Sequence, residues 1–255
     1  MNKWHSVFLY NLGRVQYRLG EYTEAKRSLE KCMNAARQLQ NVDLMIDATR
    51  EVGRVYYRLT DYAGAKAHFE IALRKAQSRN DDKRISDALH EMGRLAYRQG
   101  DMHNAENFLS KALSIRENEK DMRSTAQTLH ELARVRHYEG KVKDAELLYK
   151  RSLELRKKAQ DIVGQQATLH ELGKLAFDQK DNETARKFYD ECGKIARALN
   201  DRFWIAHNLY WNARLLWSLG DRSEAITQAS QSLKICTALG IGLKSEVETW
   251  LSSPK

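Results

Sequence analysis

The chain has 255 residues, 42% hydrophobic and 30% charged, with a formal net charge of +9 and a single proline, Pro254. No apolar run reaches the roughly 20 residues that a membrane helix needs, and Met1-Asn2-Lys3-Trp4 reads straight into a helix with no signal peptide legible, which points to a cytoplasmic protein. Three widely separated cysteines without a CxxC exclude a disulfide framework and fit a reducing compartment; Lys and Arg are scattered rather than clustered, which gives a solvated surface with a basic tilt and disfavours nucleic acid as a partner.

In chain order, the first predicted unit, residues about 3–40, opens on Trp4, Phe8 and Leu9 and passes through Gly13-Arg14 to a break at Gly20. A second helix follows through Ala25 and Cys32. The same pattern restarts at about residue 41, and Leu89 to Asp101 repeats Thr49 to Asp61 at an interval of 40 residues. Further copies begin near residues 81, 121, 161 and 201. One column reads Gly13, Gly53, Gly93, Ala133, Gly173, Ala213; another is all alanine, Ala25, Ala65, Ala105, Ala145, Ala185, Ala225. Self-similarity at such a period is the signature of a solenoid. The expected fold is therefore an all-α solenoid, one domain over 1–255, with helix-turn-helix repeats at about 3–40, 41–80, 81–120, 121–160, 161–200 and 201–240.

Within the third repeat, Ile85, Ala88, Leu89, Met92 and Ala96 make one helical stripe, and Ala105, Phe108, Leu109 and Ala112 a second. Asp61, Asp101, Asp181 and Asp221 are placed to cap the second helices. Asn41, Asp81, Asp121, Asp161 and Asp201 are placed to cap the first helices of later repeats. Gly20, Gly100, Gly140 and Gly220 fall where a helix ends in positive φ. The Gly and Ala columns are expected to face each other so that paired helices approach closely. Cys32 and Cys192 share a slot with Ala72, Ala112, Ser152 and Ser232, so they read as small buried residues. Beyond Gly240-Ile241-Gly242, residues 243–252 read as an amphipathic capping helix, with Val247, Trp250 and Leu251 on its apolar side.

The pattern Leu-x-x-Leu/Met-Gly-x-x-x-Tyr, then Gly-Asp/Glu-Tyr, Ala and Leu/Phe, resembles the tetratricopeptide repeat over residues about 3 to 240. The long, proline-free copies resemble those of bacterial peptide-sensing regulators and signalling sensor arms, and of Pins-type and kinesin-light-chain proteins. The resemblance implies a right-handed superhelix whose first helices line a concave groove, and a protein- or peptide-binding scaffold that can be one part of a longer protein with a linked effector domain. The chaperone-type carboxylate clamp is absent, because its Lys and Asn slots hold Tyr10 and Arg14, with Glu51, Asp87 and Glu91 in the next two repeats. The amide slot of peptide-binding grooves holds asparagine only at Asn11; the next four copies have glutamate.

On the face opposite the apolar stripe, stacked repeats align ladders of histidine, glutamate, arginine and aromatic residues. The candidate ligand-binding residues are Arg54, Tyr57, His90, Arg94, Tyr97, Arg98, His130, Arg134, His137, His170, Lys174, Phe177, Tyr210, Arg214 and Trp217. Two uses stand open. Glu91 and Arg94, like Glu51 with Arg54 and Glu131 with Arg134, are three apart on one helix and can simply pair. Alternatively the cations and rings meet a partner, expected to be an acidic or mixed-charge segment or helix crossing repeats three and four, with histidine protonation strengthening its binding as pH falls. The alternative ligand is RNA or a nucleotide, held by the Arg and aromatic ladders, but the interleaved glutamates oppose a phosphate backbone.

Enzymatic signatures fail. His90-Glu91-Met92-Gly93-Arg94 starts like HExxH but ends in arginine, and His130-Glu131 and His170-Glu171 run to Arg134 and Lys174. Phosphate-binding glycine loops and a nucleophile elbow are absent from the sequence. No cofactor, metal or catalytic residue is expected.

Overall fold

The computed structural model describes residues 3–254, which form thirteen helices and no strand. In order they are α1 (Lys3–Leu19), α2 (Tyr22–Gln38), α3 (Val42–Arg58), α4 (Tyr62–Gln77), α5 (Asp82–Arg98), α6 (Met102–Asn118), α7 (Met122–Tyr138), α8 (Val142–Lys158), α9 (Ile162–Asp178), α10 (Asn182–Ala198), α11 (Arg202–Ser218), α12 (Arg222–Leu239) and α13 (Leu243–Ser252). Two compact units are delimited within α7, one ending at Val135 and the other beginning at Arg136. In the first unit each helix from α1 to α6 packs on the next, and α3 also touches α1 and α5. In the second, α8 to α13 pack consecutively and α9 touches α11. This is an α-solenoid.

One turn makes every connection from α1 through α12. After α5, Gly100 takes φ +81° and the Asp101 N–H donates to the Ala96 carbonyl at 2.9 Å. The Asp101 carboxylate then accepts from the Asn104 N–H at 3.0 Å and so opens α6. A single residue thus closes one helix in a Schellman-type bond and caps the next. All nine expected Asp and Asn caps make this side-chain bond. The glycines expected at positive φ adopt it. The same geometry at Thr60, Lys120, Lys180 and Asn200, with φ of 50–62°, had no glycine to signal it.

The alanine column is fully buried, at 0% exposure in every copy. Its relation to the glycine column is close but not head-on. A Cβ on Gly93 would lie 2.5 Å from Leu109 Cγ and 3.3 Å from the Ala105 carbonyl oxygen; on Gly13 it would lie 2.6 Å from Leu29 Cγ. The glycine therefore receives the large side chain one turn beyond the alanine, while the alanine brings the backbones together. The shared cysteine slot is buried in all six copies, and burial pushes the Cys32 and Cys192 thiols up to about 11 and about 12.

Candidate functional site

Flanking first helices turn much of the expected groove face into an interface between repeats. On α5, Ser86, His90 and Glu91 are buried alongside the apolar stripe. Glu51 is 3% exposed and Glu91 7%. Each arginine bridges its own glutamate and the next: Arg54 to Glu51 at 2.9 Å and Glu91 at 3.4 Å, Arg94 to Glu91 at 2.9 Å and Glu131 at 3.4 Å, and Arg134 to Glu131 at 2.9 Å. Each guanidinium also covers the ring of the preceding repeat: Arg54 over Tyr17 at 4.8 Å, Arg94 over Tyr57 at 5.3 Å, Arg134 over Tyr97 at 4.5 Å. Burial alone would raise the glutamates. The arginines outweigh it and hold Glu91 and Glu131 down at about 2. In this unit Arg54, Tyr57, Arg94, Tyr97 and Arg134 are thus half-buried members of an ion-paired network, and Arg98 stands exposed at the end of α5.

The histidine column lies inside the protein. His90, His130 and His170 are 7%, 8% and 5% exposed. The His90 Nδ1 lies 3.3 Å from Thr128 Oγ1. Burial and the nearby Arg116 guanidinium push His90 down to about 3, so it stays neutral and cannot supply the expected pH-dependent attraction for an acidic partner. Arg116, 3% exposed, was not legible as special in the sequence. It donates to Asp87 at 2.7 Å, Thr128 at 2.6 Å and the Ser124 carbonyl at 3.0 Å, tying α6 to α5 and α7. The one signal available was an arginine where Ala36, Ala76 and Ala196 stand in other copies.

In the second unit His137 is half-buried and lies 3.6 Å from Asp178. His170 sits in a ring cluster with Trp204, His207 and Trp211 at centroid distances of 5.3, 5.7 and 5.9 Å. Lys174 pairs with Glu171 at 3.6 Å and covers Trp211 at 5.1 Å. Tyr210 is only 2% exposed, packed edge-on against Trp250 of α13 at 6.2 Å, and its hydroxyl is pushed up to about 12 by burial and then by Glu246. Trp217 meets the same Trp250 at 5.7 Å.

Arg214 differs from the middle of its column. Its own glutamate slot holds Trp211, and no carboxylate lies within ion-pair distance of it among the described residues. Its guanidinium stacks on Trp211 at 4.5 Å and on Phe177 at 5.5 Å, and its Nε has no hydrogen-bond partner. Beside it opens a cavity of about 650 Å³ whose walls include Tyr210, Glu246, Thr249 and Trp250. Tyr210 is among the expected groove residues, but α13 reads in the sequence as a cap only, which leaves Glu246, Thr249 and Trp250 out of the site; the spacing of Glu246 and Trp250, one turn apart, was the available signal.

Among the described residues no cluster of three His, Cys, Asp or Glu is placed to hold a metal, and no helix is long and apolar enough to cross a membrane. No curated protein matches the sequence. Among solved structures, BtubC from P. vanneervenii is similar at TM-score 0.73 and 19% identity, over 84% of this chain and 91% of that one. A Rap protein complexed with competence and sporulation factor is similar at TM-score 0.74 and 12% identity, over 99% and 75%. The Rap conjugation regulator of plasmid pLS20, in complex with the Phr* peptide, is similar at TM-score 0.73 and 15% identity, over 97% and 72%. At these identities the likeness is one of fold. The tetratricopeptide repeat family model matches residues 6–83 and 84–158, more than half of the sequence. With the helix pairs, the period and the Gly and Ala columns in agreement, the chain belongs to the tetratricopeptide repeat family.

Proposed function

We propose that this chain is a non-catalytic scaffold that binds a protein or peptide partner carrying an acidic group, and that Arg214 is the cation that receives it. The family supports a binding role, and both similar Rap structures hold a bound factor or peptide. The observation that carries the reading is the difference along one column. Arg54, Arg94 and Arg134 each pair with a glutamate of their own helix, whereas Arg214 has no carboxylate in ion-pair contact among the described residues and meets Glu246 only through the Tyr210 hydroxyl they share. A carboxylate there gains a charge-assisted bond to a cation already oriented by Trp211 and Phe177, next to a cavity walled by aromatic rings. In the same unit as Arg214, half-buried Trp217 is the further groove position open to a ligand.

Selection of peptides against the intact chain tests this. Ligands rich in Asp and Glu are expected, and Arg214→Ala should weaken them by about tenfold or more. Arg94→Ala with Arg134→Ala, and Lys150→Ala on α8, should change affinity less. Selected ligands that bind the Arg214 variant as tightly as the parent would remove Arg214 from the site.

A further inference from the structure

The second helices share a slot that the groove does not use. It holds Met33, Leu73, Leu113, Leu153 and Leu233 in five repeats, but Gly193 in α10. The large residue normally fills the space against the next repeat: Met33 packs against the cluster that holds Leu44 and Ala48, and Leu73 against the cluster that holds Ala88. In the same register Gly193 faces Ile205 and Asn208 of α11. Where the side chain is missing there is a cavity of about 470 Å³, lined by Gly193, Ile205, Leu209 and Ile235, with Asn208 among its walls.

A second departure accompanies the first. The position of Ala48, Ala88, Thr128 and Thr168 is Asn208 in this repeat, 4% exposed. Its Nδ2 donates to the Tyr189 carbonyl at 2.6 Å and its Oδ1 accepts from Asn212 at 3.1 Å, so its amide is fixed. A Cβ on residue 193 would lie 2.5 Å from that Oδ1. Glycine and asparagine thus exclude the usual leucine together, and they leave an apolar space with one buried amide. The exposed side chains of Arg197, Gln231 and Lys234 complete the lining; neither cation has an ion-pair partner among the described residues.

We propose that this cavity binds a small apolar carboxylate. The aliphatic or aromatic body lies against Ile205, Leu209 and Ile235, beside the Asn208 amide that takes the place of the absent leucine, and the carboxylate lies between Arg197 and Lys234. The volume falls within the roughly 300–1,000 Å³ usual for small-molecule sites, and apolar walls with a few fixed polar groups are their usual lining. A free organic acid and the C-terminal residue of a peptide share this chemistry. The site is walled by α10, α11 and α12 and uses none of the groove columns, so it stands or falls independently of Arg214.

The probes are octanoate, octanol, and a short peptide ending in leucine with its terminus free or amidated, titrated into the intact chain and followed by amide chemical shifts. Octanoate should shift the Gly193, Asn208 and Ile235 signals saturably, and octanol should bind about tenfold more weakly because it lacks the charge. Arg197→Ala with Lys234→Ala should weaken octanoate by about tenfold while leaving helix content unchanged. Gly193→Leu with Asn208→Ala, which restores the usual pair, should abolish saturable binding and raise the melting temperature. If the free-terminus peptide binds more tightly than octanoate and the amidated one does not bind, the natural source is a peptide end; the reverse order indicates a free acid. Equal binding of octanoate and octanol, or octanoate binding unchanged in the doubly cation-less variant, would overturn the assignment, and that surface variant decides the matter even if the leucine variant fails to fold.

Discussion

Glu91 has almost no contact with water yet stays ionised, because Arg94 and Arg54 supply what solvent no longer does. Its folded value of about 2 lies below the ordinary 4.5, as does that of Glu131, so both stabilise the fold above about pH 4.5 and lose that contribution as pH falls toward 2. His90 acts in a higher window. Held neutral at about 3 against an ordinary 6.5, it is unprotonated when folded while the unfolded chain takes up a proton below 6.5. Stability should therefore fall as pH drops from about 6.5 toward 3, and His207, pushed down to about 4 by burial and Lys174, adds to the loss. A single such proton can contribute a slope of up to about 1.4 kcal/mol per pH unit. Urea midpoints between pH 7 and 5 should show it, with His90→Gln less acid-sensitive than the parent; identical slopes would mean that His90 titrates normally in the fold. The glutamate, arginine and histidine columns were plain in the sequence as periodic residues. Their burial was not, because the face opposite an apolar stripe is solvent on a lone helix but touches another first helix in a stack.

A helix pair is held by the fit of Gly93 to Leu109 and by the approach of backbones at Ala105, so volume added there has nowhere to go. Ala105→Leu should destabilise by about 1–3 kcal/mol through overpacking. Lys111→Ala, on the exposed side of α6, should stay within about 0.5 kcal/mol. Chemical denaturation of the two variants compares them directly, and equal midpoints would refute the packing account. Periodicity and caps made the helix pairs legible, since 3.6-residue stripes and Asp caps are local signals that survive in a single sequence. Some contents of the pair were not. Thr60 and Lys180 at positive φ carry no glycine mark, because the closing bond from the next residue suffices to hold the turn. Arg116 looks like any surface arginine until Asp87 from α5 and Thr128 from α7 are brought to it. The cavity beside Gly193 was visible only as a gap in a leucine column, and a gap acquires meaning once Asn208 is known to face it.

A stack of repeats has two ends, and this one treats them differently. At the first, Trp4 and Phe8 of α1 are 79% and 61% exposed. In later copies the residue at Phe8's place is small and buried: Ala48, Ala88, Thr128 or Asn208. At the other end α13 covers α11 and α12, burying Leu243, Val247 and Trp250 against a core that includes Tyr210, Trp211 and Ala229. Each repeat gains cooperativity only from its neighbours, so the last pair depends on this cover more than any interior pair does. Burial of Val247 and Trp250 contributes roughly 1.5–3 kcal/mol each. Deleting residues 243–255 should therefore speed amide exchange through Arg214 to Leu239 by at least about a hundredfold, while α9 and α10 keep most of their protection. Because Trp250 also packs against Tyr210 and Trp217, the same deletion should loosen the surroundings of Arg214 and weaken any ligand selected through it. Exchange that rises evenly along the second unit instead would show that α13 stabilises the unit as a whole, and the repeats would not be the units of its unfolding.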